Sequence, residues 1–439
     1  MKLPASTARC IRTLEQAGFR AYAVGGCVRD SLLGLTPHDY DLCTNALPQE
    51  TAALFDGYTL VRSGEKHGTI GVVMDGQVYE ITTFRTEGGY ADSRHPDWVK
   101  FVPSVEEDLA RRDFTVNAMA YSPKEGYVDP WGGQADLHDH ILRAVGDPAT
   151  RFTEDPLRIL RGVRFAVRYG LTPEPETRQA MEDLAPLMAK LARELVFDEL
   201  CKLLPLVKAD DLIWAAPIIT QVIPELKAAV GFDQHNPHHL YDIYRHTALV
   251  VEGVPGILPL RWAALLHDVG KAGVYTQDEA GVGHFLGHAQ AGADMADTIL
   301  RRLKAPNALR EQVVALIERH MVLIQPERKQ VRRWMGRLRP EVLDWLLTLQ
   351  EADINGTGLP GDTHRIHAIR QQMQVLVQEQ ACLTVRDLCI DGHDLIALGF
   401  AGPAIGQCLN ALLEQVLEET IPNEKNTLLQ AAKQIGGSI

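Results

Sequence analysis

No two of the seven cysteines in this 439-residue chain are spaced as C-x-x-C, and their number is odd. That argues against a disulfide framework and a thiolate zinc site, and leaves reduced thiols in a cytosolic protein as the expectation. No apolar run reaches bilayer-spanning length, which excludes a membrane partner of that kind. The opening stretch, MKLPASTARCIRTLEQAG, lacks a signal-peptide apolar core and has the spacing of an amphipathic helix instead. Positive charge is in deficit: the formal net charge is −13, which alone argues against a nucleic-acid partner. Internal repeats and low-complexity tracts are missing too. What remains, 46% apolar and 23% charged, is an ordinary globular composition, with chain enough for about three domains.

The charge is unevenly spread. Basic residues dominate from Leu300 to Arg339, in RRLK and PERKQVRRWMGRLRP. Such a face can engage phosphates on an acidic protein, because screening makes distant charge matter little; a solvated helix face is the alternative. Secondary-structure signals change along the chain as well. AYAVGG, YDLCT, TIGVVM and QVYEITTFR are short β-rich runs bounded by Gly, Pro and Asp. After about residue 145 helical periodicity takes over. The expected organisation is α+β: a head over 1–146, a helical neck over 147–210, a helical body over 211–360 and a helical tail over 361–439.

The run GGCVRDSLLGLTPHDYDLCTN, residues 25–45, carries the first chemistry. Residues two apart on a strand point the same way, so Asp39 and Asp41 are expected to aim both carboxylates at one spot. Two hard oxygen ligands suit Mg²⁺, which completes its shell with water and phosphate. Gly25 and Gly26 lie between a strand and a helix, a turn that lets phosphate oxygens approach backbone N–H groups, and Arg29 adds a charge. G-G-x-x-R-D followed after nine residues by D-x-D resembles the signature of the polymerase-β-like nucleotidyltransferases. More narrowly, it resembles the class II tRNA nucleotidyltransferase and bacterial poly(A) polymerase family.

Later segments carry the same resemblance. RRDFTVNAMAY at 111–121 is similar to the family's second motif, which implies Arg112 on the triphosphate, Asp113 on the ribose and Asn117 supporting the turn. DPWGGQADL at 129–137 resembles its hinge-like third motif. TEDPLRILRGVRF at 153–165 supplies E-D-x-x-R as Glu154, Asp155 and Arg158. Three apart on a helix, Asp155 and Arg158 share a face. A carboxylate accepting from an exocyclic amine and a guanidinium donating to ring acceptors complement cytosine and adenine but not guanine or uracil. In the family this pair templates CTP and ATP, and Arg161 and Arg164 continue toward the phosphates. Together these make Gly26, Arg29, Arg112, Asp113, Asp155, Arg158, Arg161 and Arg164 the expected nucleotide-binding residues. Glu80 is either a third carboxylate near the metal or a strand-surface residue. The segment 83–102 resembles the family's flexible loop, which goes with complete CCA addition.

A second constellation lies in the body. LRWAALLHDVGKAG puts His267 and Asp268 at the end of an apolar helix, with Gly270 as its stop. His246 precedes them; His288, His320 and Asp353 follow. The order resembles the HD-domain phosphohydrolases and implies His246, His267, Asp268 and Asp353 as metal ligands, extending to His288 and His320. Imidazole with carboxylate suits Mn, Fe, Co, Ni or Zn. The implied activity is phosphatase or 2′,3′-cyclic phosphodiesterase; the alternative is a helical scaffold retained for binding tRNA. His138-Asp139 and His393-Asp394 read as surface. The whole implies a cytoplasmic CCA tRNA nucleotidyltransferase, monomer or homodimer, with tRNA, CTP and ATP as partners and the basic helices holding tRNA phosphates. A bacterial poly(A) polymerase, or an HD phosphohydrolase with a nucleotide-binding head, are the rivals.

Overall fold

The computed structural model describes residues 1–88 and 98–436 and divides into two compact units. One comprises Met1–Val207 with Trp214–Pro224; the other comprises Lys208–Ile213 with Glu225–Ile439. The expected amphipathic helix forms at Ala5–Gln16 and buries Cys10, Ile11 and Leu14. Among the described residues of the first unit, the head strands are β1 (Ala21–Val24), β2 (Leu42–Thr44), β3 (Thr59–Val61), β4 (Thr69–Met74), β5 (Gln77–Thr83), β6 (Arg85–Gly88), β7 (Trp98–Phe101), β8 (Ala120–Ser122) and β9 (Gly126–Val128), and a short parallel pair, Ile141–Leu142 with Thr172–Pro173, lies beyond them. Seven form one sheet in the order β3-β4-β5-β2-β1-β8-β9, while β6 and β7 pair as a separate hairpin. The fold is mixed α+β, as the sequence implies. Strands β3, β8 and β9 escape the sequence reading because three residues carry no periodicity. Residues 89–97 of the expected loop lie outside the described residues.

β1 and β2 pair antiparallel with Ala23 opposite Leu42, and β2 pairs parallel with β5, Leu42 opposite Ile81. One face of the sheet is covered by Tyr22, Val24, Cys43 and Phe84 packed with Val102, Val105, Leu109 and Ala118. Each fully buried side chain of this size contributes about 1.5–3 kcal/mol. The helix Val105–Ala110 lies on this core, its first turn capped by Ser104 Oγ accepting from the Glu107 N–H at 3.3 Å. Two helices, Pro148–Glu154 and Leu157–Tyr169, then carry the chain out of the sheet.

The second unit is helical. Its helices include Ile243–Gly253, Leu258–Leu266, His288–Arg302, Asn307–Arg319, Pro340–Gly356, His364–Gln378 and Pro403–Leu417. Leu258–Leu266 is almost wholly buried, as RWAALL requires. It ends at Leu266, short of the expected stop at Gly270, which instead caps the next short helix, Lys271–Val274; a Cβ at Gly270 would lie 2.6 Å from the Gly292 backbone nitrogen. The last residues form a satellite core around Leu395, Cys408, Leu412 and Leu428. No helix among the described residues is long and apolar enough to cross a membrane.

The basic run carries its own counter-charges. Along Arg328–Leu338, Arg328 pairs with Glu379 at 2.5 Å and Glu419 at 3.4 Å, and Lys329 with Glu418 at 2.9 Å. Arg332 reaches Glu419 at 3.6 Å and Arg333 also pairs with Glu418. Further up the chain, Arg302 is paired with Glu225 and Arg310 with Asp297, each at 2.5 Å. Acidic residues distant in sequence neutralise much of what reads locally as a phosphate-binding face.

One glycine positions the head's site. Gly133, in the hinge-like segment, gives its N–H to Asp129 at 2.7 Å, and a Cβ there would stand 2.2 Å from the Thr115 carbonyl oxygen. Thr115 in turn donates to Asp136 at 2.6 Å. Gly133→Ala must push the 115–117 turn away, at a cost of about 2–4 kcal/mol. Thermal melting is expected to show a clear fall for Gly133→Ala, against no more than a small change for Gly57→Ala, whose Cβ meets open space. Equal melting of Gly133→Ala and the parent would mean the turn is loosely held.

Candidate active site

The carboxylate pair sits just ahead of β2 rather than within it. Asp41 is nonetheless fixed, because its carbonyl accepts the Val24 N–H at 2.9 Å and prolongs the β1–β2 ladder by one step. That bond places Asp41 beside the Gly25 turn. By the parallel register Asp41 neighbours Glu80, whose side chain alternates outward from buried Tyr79 and Ile81. Part of Asp41 reaches solvent, yet its carboxyl is set deep enough to be pushed up to about 6. Burial is the first cause and Asp39 the second; Glu80 adds to them and Arg112 opposes. A carboxyl whose proton affinity is raised by a neighbouring acid is a place for a cation.

Opposite lies the glycine turn. Gly25 has φ +76°, a conformation that L side chains avoid, and a Cβ on it would lie 2.8 Å from Arg112 Nη1. The backbone thus comes close beneath the Arg112 guanidinium. Arg29 follows in the helix Gly26–Leu32, but its side chain is drawn inward. It donates to Asn117 Oδ1 at 2.5 Å, to Asp30 Oδ1 at 2.6 Å and to the Tyr169 hydroxyl at 2.5 Å, and stacks on the Tyr169 ring at 4.1 Å.

Asn117 hands the network on to Asp113, donating to its Oδ1 at 3.1 Å. The Phe114 N–H binds the same oxygen at 2.9 Å, while Oδ2 receives Arg161 Nε at 2.9 Å and Nη2 at 2.7 Å. Burial alone would raise the Asp113 carboxyl, but Arg161 and Asn117 outweigh it and hold it at about 2. Arg161 also lies over the Phe165 ring at 5.4 Å.

The Glu-Asp-x-x-Arg segment spans a break. Glu154 ends one helix, Asp155 is extended at φ −141°, and the next helix begins at Leu157. Asp155 is therefore ahead of the helix that carries Arg158, not on it. Its Oδ1 accepts the Leu157 N–H at 3.0 Å, and its Oδ2 stands 4.0 Å from Arg158 Nε. Arg158 is held hard: Nη1 donates to Glu154 at 3.0 Å and to the Arg151 carbonyl at 3.2 Å, and Nη2 to the Arg111 carbonyl at 3.1 Å. Arg164 turns elsewhere. It pairs with Glu199 at 2.6 Å and stacks on Phe165 at 4.5 Å, away from the direction the helix face implies.

A cleft of about 400 Å³ collects these groups, lined by Gly25, Gly26, Asp41, Arg112, Asp155 and Arg158 together with Arg29, Asp113, Asn117 and Arg161. Arg111 and Phe165 also line it, and sequence reading passed over both. For Phe165 the available signal was its place between Arg161 and Arg164, one aromatic inside an arginine stripe.

The histidine cluster forms in the second unit from six separate positions. His246 Nε2 stands 2.9 Å from Asp353 Oδ1 and 3.4 Å from Asp268 Oδ2; His267 Nε2 stands 3.2 Å from Asp268 Oδ2. On the other side of Asp268, His288 Nε2 is 3.6 Å from Oδ1 and 3.2 Å from His320 Nε2. Asp268 is thus shared by two groups, one with His246 and His267, the other with His288 and His320. Lys271, three residues on in HDVGK and unremarked in the sequence reading, reaches Asp268 Oδ2 at 2.7 Å and the buried Gln234 at 3.0 Å.

Three of the rings are locked in one tautomer. His267, His288 and His320 each donate Nδ1–H to the carbonyl three residues earlier, at 2.8, 2.8 and 2.6 Å. A carbonyl cannot donate, so Nε2 must present its lone pair inward in each neutral ring. Burial, aided for His320 by His267, lowers His288 and brings His320 to about 4, so both are neutral near pH 7. Facing lone pairs repel unless a cation stands between them, and the donor set of imidazole and carboxylate fits a divalent transition ion. His267 behaves differently: burial lowers it, but Asp268 and Asp353 overrule this and raise it to about 10. A proton there takes the place of a second positive charge.

Comparison with known proteins agrees with this geometry. The Poly A polymerase head domain family matches residues 21–143, the probable RNA- and SrmB-binding site of polymerase A matches 170–230, and the putative tRNA nucleotidyltransferase domain 2 family matches 276–432. A CCA-adding enzyme of Lactiplantibacillus plantarum is 35% identical over 98% of this chain and 95% of its own. One from Geobacillus stearothermophilus is 33% identical over 95% and 94%. The solved Bacillus stearothermophilus CCA-adding enzyme in complex with CTP superposes with a TM-score of 0.72 at 28% identity, covering 100% of this chain and 99% of that one.

The Asp113 pair yields a pH dependence. Its carboxyl lies below its ordinary 3.8, so its pairing contributes stability that is present above that value and lost as pH falls toward about 2. Asp113→Asn is expected to cost about 2 kcal/mol at neutral pH, with the gap to the parent closing below pH ~4. Urea unfolding of both proteins across that range measures it, and a gap independent of pH would show that the charge contributes nothing.

Proposed function

The chain belongs to the family of CCA-adding enzymes, and from that membership we propose that it adds C, C and A in turn to the 3′ end of tRNA, taking CTP and ATP and using no nucleic-acid template. Its head is a polymerase-β-like nucleotidyltransferase. The observation that carries the finer reading is that three motifs, spread along the chain from Gly25 to Phe165, line one cleft.

In this reading the triphosphate lies over the Gly25–Gly26 turn against Arg112, with the ribose near Asp113 and the base against Asp155 and Arg158. Asp39 and Asp41 hold a divalent ion of the Mg²⁺ kind, which when bound acidifies the attacking hydroxyl and neutralises charge on the departing pyrophosphate. The 3′-hydroxyl oxygen of the tRNA gives up its proton and attacks the α-phosphorus; the bond to the β-phosphate oxygen breaks and pyrophosphate leaves. Asp155 accepts from the exocyclic amine that cytosine and adenine share. Arg158, with both terminal nitrogens already tied to Glu154 and two backbone carbonyls, cannot swing to suit another base, so uracil and guanine meet unmatched partners.

The histidine cluster supports a second activity, a metal-dependent phosphohydrolase acting on phosphate esters, 2′,3′-cyclic phosphates among them. His246, His267, Asp268 and Asp353 hold one ion in this reading, and His288 and His320 share Asp268 with a second. A bound ion acidifies water for attack on phosphorus. The inward lone pairs and the shared carboxylate favour this over a scaffold that has lost its ligands.

Extension of tRNA lacking its 3′ end, read at single-nucleotide resolution, tests the first reading. CTP alone is expected to add two residues, and CTP with ATP three. Asp39→Asn with Asp41→Asn should reduce addition by at least ~10³-fold. Continued ATP incorporation beyond one residue would instead identify a poly(A) polymerase. For the second reading, Asp268→Asn is expected to lose bound transition metal by mass spectrometry, and with it hydrolysis of 2′,3′-cyclic nucleotides, while CCA addition persists. Hydrolysis that survives both Asp268→Asn and exhaustive chelation would place that activity outside the cluster.

A further inference from the structure

Asp108 belongs to none of the motifs that mark the nucleotide site, yet the cleft's arginines are arranged around it. It sits on the helix Val105–Ala110 with its side chain 1% exposed. Oδ1 accepts the backbone N–H of Arg85, the first residue of β6, at 3.1 Å. The same oxygen lies 3.0 Å from Arg111 Nε and 3.0 Å from its Nη2. Oδ2 faces Arg112 Nη2 at 3.6 Å, just beyond a hydrogen bond. Neither that Oδ2 nor Arg112 Nε has a hydrogen-bond partner among the described residues.

A buried carboxylate oxygen short of donors attracts the nearest cation, because water cannot supply the missing hydrogen bond. Here that cation is Arg112, whose guanidinium already lies against Gly25. Arg111 is held at its other end as well, with Nη1 3.3 Å from Glu87 Oε2, and its carbonyl is the acceptor for Arg158 Nη2 at 3.1 Å. One carboxylate therefore stands behind a triphosphate-side arginine and, through the Arg111 backbone, behind the base-side arginine.

We propose that Asp108 is a positioning residue for the incoming nucleotide: it keeps Arg112 over the glycine turn and fixes the Arg111 carbonyl that steadies Arg158. The inference rests on the reading of Arg112 as a contact of the triphosphate. Asp108 itself touches no substrate. The tie to the Arg85 N–H means that the start of β6, on the way to the 89–97 segment, shares the same anchor.

Steady-state kinetics on the full-length protein with tRNA substrate test this, together with melting temperatures of every variant. Asp108→Asn is expected to raise KM for CTP and ATP about tenfold while kcat stays within about twofold, since the lost interaction is one of ground-state placement. Arg112→Gln should raise KM similarly, and the double variant should be little worse than Arg112→Gln alone, as for two residues acting through one contact. Asp108→Glu, which keeps the charge, is expected to recover part of the loss.

If Arg112→Gln raises KM and Asp108→Asn does not, the proposal is overturned and the reading of Arg112 stands. Full additivity in the double variant overturns it too. Should Arg112→Gln leave KM unchanged, the reading of Arg112 fails and the proposal with it. A fall in kcat that tracks a lower melting temperature at unchanged KM assigns Asp108 a purely structural part, and again overturns it. Where Asp108→Asn does not fold, Asp108→Glu decides: its longer arm displaces Arg112 and raises KM, and an unchanged KM overturns the proposal.

Discussion

A ring of charge-assisted hydrogen bonds, closed through one helix, holds the nucleotide cleft in shape. It runs from Arg29, braced by Asp30, to Asn117, Asp113 and Arg161, and the helix Leu157–Tyr169 brings it back, since its Tyr169 hydroxyl accepts from Arg29. Its members come from the helix after the glycine turn, the 115–117 turn and the helix Leu157–Tyr169. Buried charges are tolerable only when paired, so none of these segments can slide without exposing an uncompensated ion. The sheet places Asp41, the ring places the helix that carries Arg158, and the distance between metal-side and base-side groups follows from the two together.

The two carboxylate-bearing clusters of the chain differ in kind. In the head, Asp41 opens onto the cleft with oxygen donors only, a set that suits a hydrated ion of the Mg²⁺ kind. In the second unit the donors are enclosed, three of the four rings have Nδ1 tied to backbone carbonyls, and Lys271 supplies positive charge beside Asp268. An enclosed set of mixed nitrogen and oxygen donors suits a resident ion.

Much of this was legible before any coordinates. The glycine pair, the alternate aspartates and the Glu-Asp-x-x-Arg segment are local patterns, and local patterns survive in a string of letters. The six metal-ligand candidates were legible as residue types in an order, though not that Asp268 would be shared. Position within elements was less so: the carboxylates fall one step short of β2, and Asp155 lies in the break between helices. What could not be read was partner choice across long separations. Arg29 finds Tyr169, Arg164 finds Glu199, and Asp108 gathers Arg85, Arg111 and Arg112; nothing in the motifs names those partners. The pairing of the basic stretch was hidden for the same reason, since its counter-charges at Glu379, Glu418 and Glu419 lie some 50 to 90 residues downstream.

Those counter-charges bear on how an RNA would be released. A polyanion that docks on free lysines and arginines displaces their condensed small ions, and its affinity then falls steeply with salt. Along Arg328–Arg333 the partners are covalently part of the same chain and cannot diffuse away. An RNA phosphate there must exchange with glutamate rather than with chloride, so little entropy of ion release is available to hold it. An RNA docked along that one paired helix would depend only weakly on ionic strength.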